Sequence, residues 1–454
     1  MENIEKTQEN KMGTARMLPL IVSMSLPSMF SMLIQSLYNV VDSMFVARFD
    51  PTALAAVSLV FPIQMLIISV AVGTGIGVNS LVSRRLGEQR IDDASNAAQH
   101  GILLAFGSYI VMALLALFFS GPFYSLFAEK GSTLYTMACE YSNIVTLMSF
   151  GVFIHIAIEK TLQATGNMIH PMIFQIVGAV TNIILDPIMI FGLFGFPRLG
   201  IAGAAIATVI GQILAMCCAL YVAFRKTHAV SITFRNFKFH ARTVREIYAV
   251  GIPSIVMQSI GSVLVTFLNK ILVGFSETAV SVLGVYYKLQ SFVFMPVFGL
   301  THGVMPIMGY SFGARYKKRL LSALKIGCVI AVCIMFAGTL LFLIFPKELL
   351  LMFNNDPKLI EIGVPALRII CTCFLSAGVC IMFSTLFQAI GRGQYSLIVS
   401  LLRQLICILP IAYFLSQFGL QYFWWAFPIS ECIALVVSIV LYVRLYRKTI
   451  STLS

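Results

Sequence analysis

"LPSMFSMLIQS", residues 26–36, returns 226 residues later as "IPSIVMQSIGS", residues 252–262. The register holds downstream: "FDPTALAAV" (49–57) lies over "FSETAVSVL" (275–283), Gln64 over Gln290, Gly73 over Gly299, Gly77-Val78 over Gly303-Val304 and Gly87 over Gly313. Residues 27–87 and 253–313 share 12 identities without a gap, where chance in so biased a composition gives roughly 4 or 5. A second block, "LQATG" (162–166) over "FQAIG" (387–391), extends the repeat at a shift of 225. The chain is built twice, and the content of each copy decides the fold.

Hydrophobic residues make up 59% of the chain and charged residues 11%, against about 25% charge in soluble domains. The apolar residues fall in long runs with few charges, each able to cross a bilayer as a helix of about 20 residues. A transmembrane barrel would instead need alternating segments of about 10 residues. Twelve spans are expected, near 18–46, 54–82, 96–120, 137–163, 170–194, 201–224, 247–274, 279–307, 320–345, 360–388, 394–416 and 422–443, with Pro and Gly marking many breaks. The polar start, "MENIEKTQENKMGTARM", lacks the apolar core and cleavage site of a secretory signal, so the first run reads as a retained helix.

Lys and Arg set the orientation. With the N-terminus cytoplasmic, 20 of the 31 basic residues fall in inside segments and 5 outside. Both termini are therefore expected in the cytoplasm, and the net charge of +13 reads as topology, not as a nucleic-acid surface. The repeat shift spans six helices, an even number, so both copies insert the same way up. The expectation is an all-α polytopic membrane protein with two pseudo-symmetric six-helix lobes in a parallel repeat. Its parts are a tail (1–17), a first lobe (18–224), a basic linker (225–246), a second lobe (247–443) and a second tail (444–454). The small-xxx-small patterns "GTGIG" (73–77) and "GLTHG" (299–303) read as close helix packing.

Acids inside such spans are costly and are ion or proton sites by default. Gln35, Asn39 and Asp42 share one face of the first span, and Gln175, Asn182 and Asp186 one face of the fifth. The repeat puts Leu268 over Asp42 and Leu409 over Asp186, so only the first lobe keeps these acids. Glu159, Lys160 and Gln163 end the fourth span, with Lys160 read as bordering the cytoplasm; Thr208 and Gln212 lie on the sixth. The second lobe carries Lys270, Lys288, Arg368, Arg403 and Glu431. Arg368 and Arg403 are expected to snorkel, and Glu431 to pair with Lys270 or Lys288. The ten cysteines match no zinc or redox spacing and read as small core residues. His155 and His302 read as structural. "GYSFG" (309–313) fits a hydrolase elbow, but it ends a membrane helix with no strand before it, so an enzyme is not expected.

These features together resemble the multidrug and toxic compound extrusion family. The resemblance rests on the two lobes, "YNVVDSMFVARF", "GVNSLVSRRLGE", "LQATGN", "TNIILDPIMIFG", "GIAGAAIATVIGQ" and "YYKLQSFVFMPVFGL", in this order. It implies secondary transport in which organic cations and amphipathic drugs leave the cell against inward H⁺ or Na⁺, with no cofactor. The first-lobe ion site of prokaryotic members would fall on Asp42, Asn182, Asp186 and Thr208, with Na⁺, if used, at Asp42, Asn182 and Asp186. Substrate-cavity or gating positions are Gln35, Tyr38, Asn39, Glu159, Gln175, Tyr287, Lys288, Met295 and Glu431, with Phe153 and Tyr286 as further aromatic lining. A monomer in the cell's plasma or inner membrane is expected, touching lipid and no nucleic acid. The rival reading is a lipid-linked precursor flippase of the same broad superfamily, against which twelve spans and first-lobe acids speak.

Overall fold

The computed structural model describes residues 10–225, 229–234, 237–353 and 355–453. Among them the structure is entirely helical. Eleven helices are long and apolar enough to cross a membrane, and a bent pair supplies the twelfth. They are α1 (Met17–Val46), α2 (Ala55–Gly87), α3 (Ile91–Tyr124), α4 (Thr133–Leu147 with Phe150–Ala164, bent by 44°), α5 (Ile169–Phe191) and α6 (Ile201–Arg225). In the second lobe follow α7 (Ala241–Val273), α8 (Glu277–Gly313), α9 (Lys317–Ile344), α10 (Pro357–Ala389), α11 (Gly393–Ser416) and α12 (Leu420–Ile450). Helix α7 starts inside the segment read as linker, because Arg242 and Glu246 pair one turn apart and extend the helix.

The repeat is visible in local backbone chemistry. Asp50 caps the helix containing α2 by accepting from the Thr52 N–H at 2.7 Å, and Ser276, its repeat mate, caps α8 by accepting from Ala279 at 3.1 Å. Gly166 and Gly391 both turn the chain in the left-handed region, at φ 87° and 81°. Gln89 and Arg315, also repeat mates, both sit at φ 60° just beyond α2 and α8.

The lobes meet along a seam where α2 packs on α7 and α1 on α8. The repeated glycines lie on it. A Cβ on Gly87 would run into the Tyr310 carbonyl, and one on Gly313 into the Arg84 carbonyl, the repeat mate of that contact. Gly73 rests on Ile255 while Gly299 rests on Met29, and these two partners are repeat mates as well. The small-xxx-small reading therefore holds, and the neighbour it packs against is the other lobe. From Gly73 to Gly87 the seam rises about 21 Å. Its lower end carries the first and last described segments of the chain: Arg319 donates to the Met12 and Ala15 carbonyls at 2.8 and 3.0 Å, and Lys317 to the Ser451 carbonyl at 3.4 Å. At that end Arg85 Nη2 also reaches Glu246 Oε2 at 2.7 Å across the seam.

Candidate functional site

Helices α5 and α6 touch through glycine: a Cβ on Gly211 would press on the Gly178 carbonyl at 2.7 Å. This approach brings the Asn182 amide to 3.1 Å from Thr208 Oγ1, whose hydrogen goes to the Ala204 carbonyl at 3.0 Å. Turned so that its nitrogen faces Asp186, Asn182 donates to Asp186 Oδ2 at 2.8 Å and accepts from the Thr208 N–H at 3.0 Å. Asp186 itself is fully buried.

Helix α1 brings Asp42 to this group. The Asp42 and Asp186 carboxyls face one another, while Asp42 Oδ1 is buried and receives no hydrogen bond. Two carboxylates so placed repel one another when both are ionised, and a proton or a cation between them would relieve this. Among the described residues, no Lys or Arg pairs with either acid. Tyr38 reaches Thr208, and the Tyr141 hydroxyl accepts from Gln64 Nε2 at 3.1 Å above the same acids. The structure thus gathers Tyr38, Asp42, Asn182, Asp186 and Thr208 in one place. It adds Gln64 and Tyr141, which the sequence reading did not propose. The recurrence of Gln64 at Gln290 was the only signal for it; Tyr141 had none.

Glu159 and Gln175 belong to a second, buried cluster. Glu159 Oε1 accepts from Lys160 Nζ at 3.1 Å and Gln163 Nε2 at 3.0 Å, and Oε2 from Gln175 Nε2 at 3.0 Å. His155 Nε2 stands 3.5 Å from Oε2. His302 of the second lobe joins Gln163, Gln175, Ser28 and Ser31 around a narrow crevice, its Nδ1 without a hydrogen bond. Lys160 stands near the end of α4, yet it does not face solvent. Its residue is 3% exposed, because the adjacent Glu159 holds it inside the bundle.

In the second lobe, Glu431 pairs with Arg403, Oε1 to Nη1 at 3.6 Å. Neither Lys270 nor Lys288 is its partner, and Arg403 does not snorkel, since its side chain is only 16% exposed. Lys288 is exposed and sits over the Phe353 ring at 5.9 Å. Gln35 and Met295 are half-buried and Asn39 is exposed. The Tyr287 hydroxyl is buried without a hydrogen bond. Phe153 and Tyr286, expected as cavity lining, are each 1% exposed and pack in the lobe cores instead. Among the cysteines, Cys371, Cys373 and Cys380 are buried as expected of core residues, whereas Cys217, Cys333 and Cys432 are exposed. The lipid phase accepts a thiol as readily as the core does. Among the described residues, no three His, Cys, Asp or Glu side chains gather as a metal site.

The sequence model described as MatE matches twice, at residues 27–188 and 253–414, once per lobe. The multidrug export protein MepA of Staphylococcus aureus (strain MRSA252) is 26% identical over 436 residues, covering 94% of each chain. Its Staphylococcus haemolyticus (strain JCSC1435) counterpart is 26% identical over 434 residues, covering 95% of this chain and 94% of that one. Among solved structures, an outward-facing conformation of a multidrug resistance MATE family transporter of the MOP superfamily superposes with a TM-score of 0.91 at 27% identity. It covers 98% of this chain and 99% of that one.

Proposed function

This chain belongs to the MatE family, and from that premise we propose that it is a secondary active exporter that moves organic cations and amphipathic drugs out of the cell in exchange for H⁺. On this reading it is a transporter and not an enzyme. It resides in the cell membrane with both termini cytoplasmic, as the distribution of Lys and Arg supports.

The observation that carries the reading is the Asp42–Asp186 pair. Asp186 is fully buried and Asp42 half-buried beside it, and among the described residues neither has a Lys or Arg as counter-cation. Such a pair has two inexpensive states, one with a shared proton and one with a cation beside it. A bare pair of charges in a dry site is the expensive one. Asn182, which turns its N–H to Asp186 when its bonds are satisfied, supports H⁺ over Na⁺, since a sodium site would want its carbonyl oxygen.

The mechanism follows from these states. The seam closes the end that carries the first and last described segments, and the likeness to an outward-facing transporter supports an outside-open state. In that state a proton enters from outside and is shared by Asp42 and Asp186. Neutralised, the pair loses its hold on a cationic substrate and no longer resists drawing α1 towards α5. Substrate leaves, the seam opens, and the lobes expose the pair to the cytoplasm, where the proton departs and the next substrate binds.

Purified protein in dye-loaded proteoliposomes tests this. A proton gradient alone is expected to drive dye against its gradient. A Na⁺ gradient at constant pH that drives transport equally well, with no response to a pH step, would reassign the ion. Failure of either gradient to move an organic cation would end the reading.

A further inference from the structure

The second lobe lacks counterparts of Asp42 and Asp186, yet it does not lack a buried acid. At the shift of 223 that places Leu409 over Asp186, Glu431 falls on Thr208. Helices α11 and α12 correspond to α5 and α6. Asn182 and Thr208 join α5 to α6; Arg403 and Glu431 join α11 to α12. The surroundings are polar in both lobes. Around Glu431 stand the Cys380 thiol, Cys373, and Tyr286 from α8. Among the described residues, Arg403 is the one basic group beside it.

Two details separate this pair from an ordinary structural ion pair. At 3.6 Å the contact is electrostatic and not a hydrogen bond, and Glu431 Oε1 receives none although the residue is only 7% exposed. Arg403 also lies in a π-helical turn, Leu402–Ile406, within α11. Such turns are rare and gather at functional positions. A buried carboxylate requires a cation or a proton. In the first lobe the cation must come from solution. In the second it is tethered to the chain, and a guanidinium does not surrender its proton.

We propose that Glu431 forms the second lobe's counterpart of the carboxylate site, with Arg403 as its resident cation, so that Arg403 limits the transporter to one exchangeable cation and its removal turns Glu431 into a second site. The inference rests on the Asp42–Asp186 pair being the working coupling site.

The test measures H⁺ and ²²Na⁺ moved per dye molecule in proteoliposomes for Arg403→Gln, Arg403→Lys, the double variant Arg403→Gln/Glu431→Gln, and Asp42→Asn. Arg403→Gln should move about one further cation per dye, the two assays telling proton from sodium. Arg403→Lys and the double variant should keep the wild-type ratio, one by retaining a cation and the other by removing the acid. A folded Arg403→Gln protein with an unchanged ratio overturns the proposal. So does a double variant that folds but loses coupling, because Glu431 would then already be at work. Should Arg403→Gln alone fail to fold, a double variant that folds with the wild-type ratio supports Arg403 as the resident cation of Glu431, and one that also fails to fold overturns the proposal. Coupled transport by Asp42→Asn would instead sink the underlying reading, whatever the Arg403 variants do.

Discussion

Arg85 on α2 and Glu246 on α7 join the two lobes with a 2.7 Å ion pair, and each is held from its own side, Arg85 by Glu88 at 2.8 Å and Glu246 by Arg242 at 3.0 Å. The pair lies at the end of the seam that must part when the lobes rock. Partly exposed pairs contribute about 0.2–1 kcal/mol, enough to shift the balance of lobe states by up to about fivefold. Arg85→Gln and Glu246→Gln should each speed alkylation of a reporter cysteine at Ser83, which is buried at the seam, in an otherwise Cys-free protein. If they act as one unit the double variant should be no faster than either single. Additive effects would show that the two charges act separately.

Gly87 and Gly313 should be equivalent. Each faces a backbone carbonyl of the other lobe, and the two contacts are related by the repeat. Alanine at either should cost the sealed state about 1–3 kcal/mol, as overpacking does, raise Ser83-reporter reactivity and slow efflux. Efflux and reactivity both unchanged in Gly87→Ala and Gly313→Ala would mean that the seam is not what closes this end.

Asp42→Asn should abolish proton-driven dye efflux and leave a folded, membrane-inserted protein. The amide keeps the shape and removes a charge that, among the described residues, has no basic partner to strand. Asp186→Asn should behave alike, and the double variant should be no worse than either single. Thermal unfolding measured beside transport separates this from a structural role, which would predict a lower melting temperature. Wild-type efflux by Asp42→Asn would remove this pair from the mechanism.

Glu159→Gln should behave in the opposite way. Its carboxylate holds Lys160 at 3.1 Å in the bundle interior, so loss of the acid strands a buried ammonium at a cost of about 3–5 kcal/mol. Thermal stability should fall sharply, and the double variant Glu159→Gln/Lys160→Met should recover much of it. A single variant as stable as wild type would show that Lys160 finds another partner.

The sequence alone determined the spans, the parallel repeat and the family resemblance. These rest on local composition and on patterns that survive without knowledge of packing: runs of apolar residues, glycines at a fixed shift, amides and acids on one helical face. Asp42 and Asp186 were legible for the same reason, since an acid in an apolar run stands out wherever the helix goes. Only the tertiary structure decided who meets whom. It showed that Glu431 takes Arg403, that Lys160 turns inward to Glu159, that Tyr141 and Gln64 stand beside the Asp42–Asp186 carboxyl pair, and that the repeated glycines face the opposite lobe. Those contacts depend on how helices cross, an outcome of packing between segments far apart in the chain. No periodicity within a single helix encodes it.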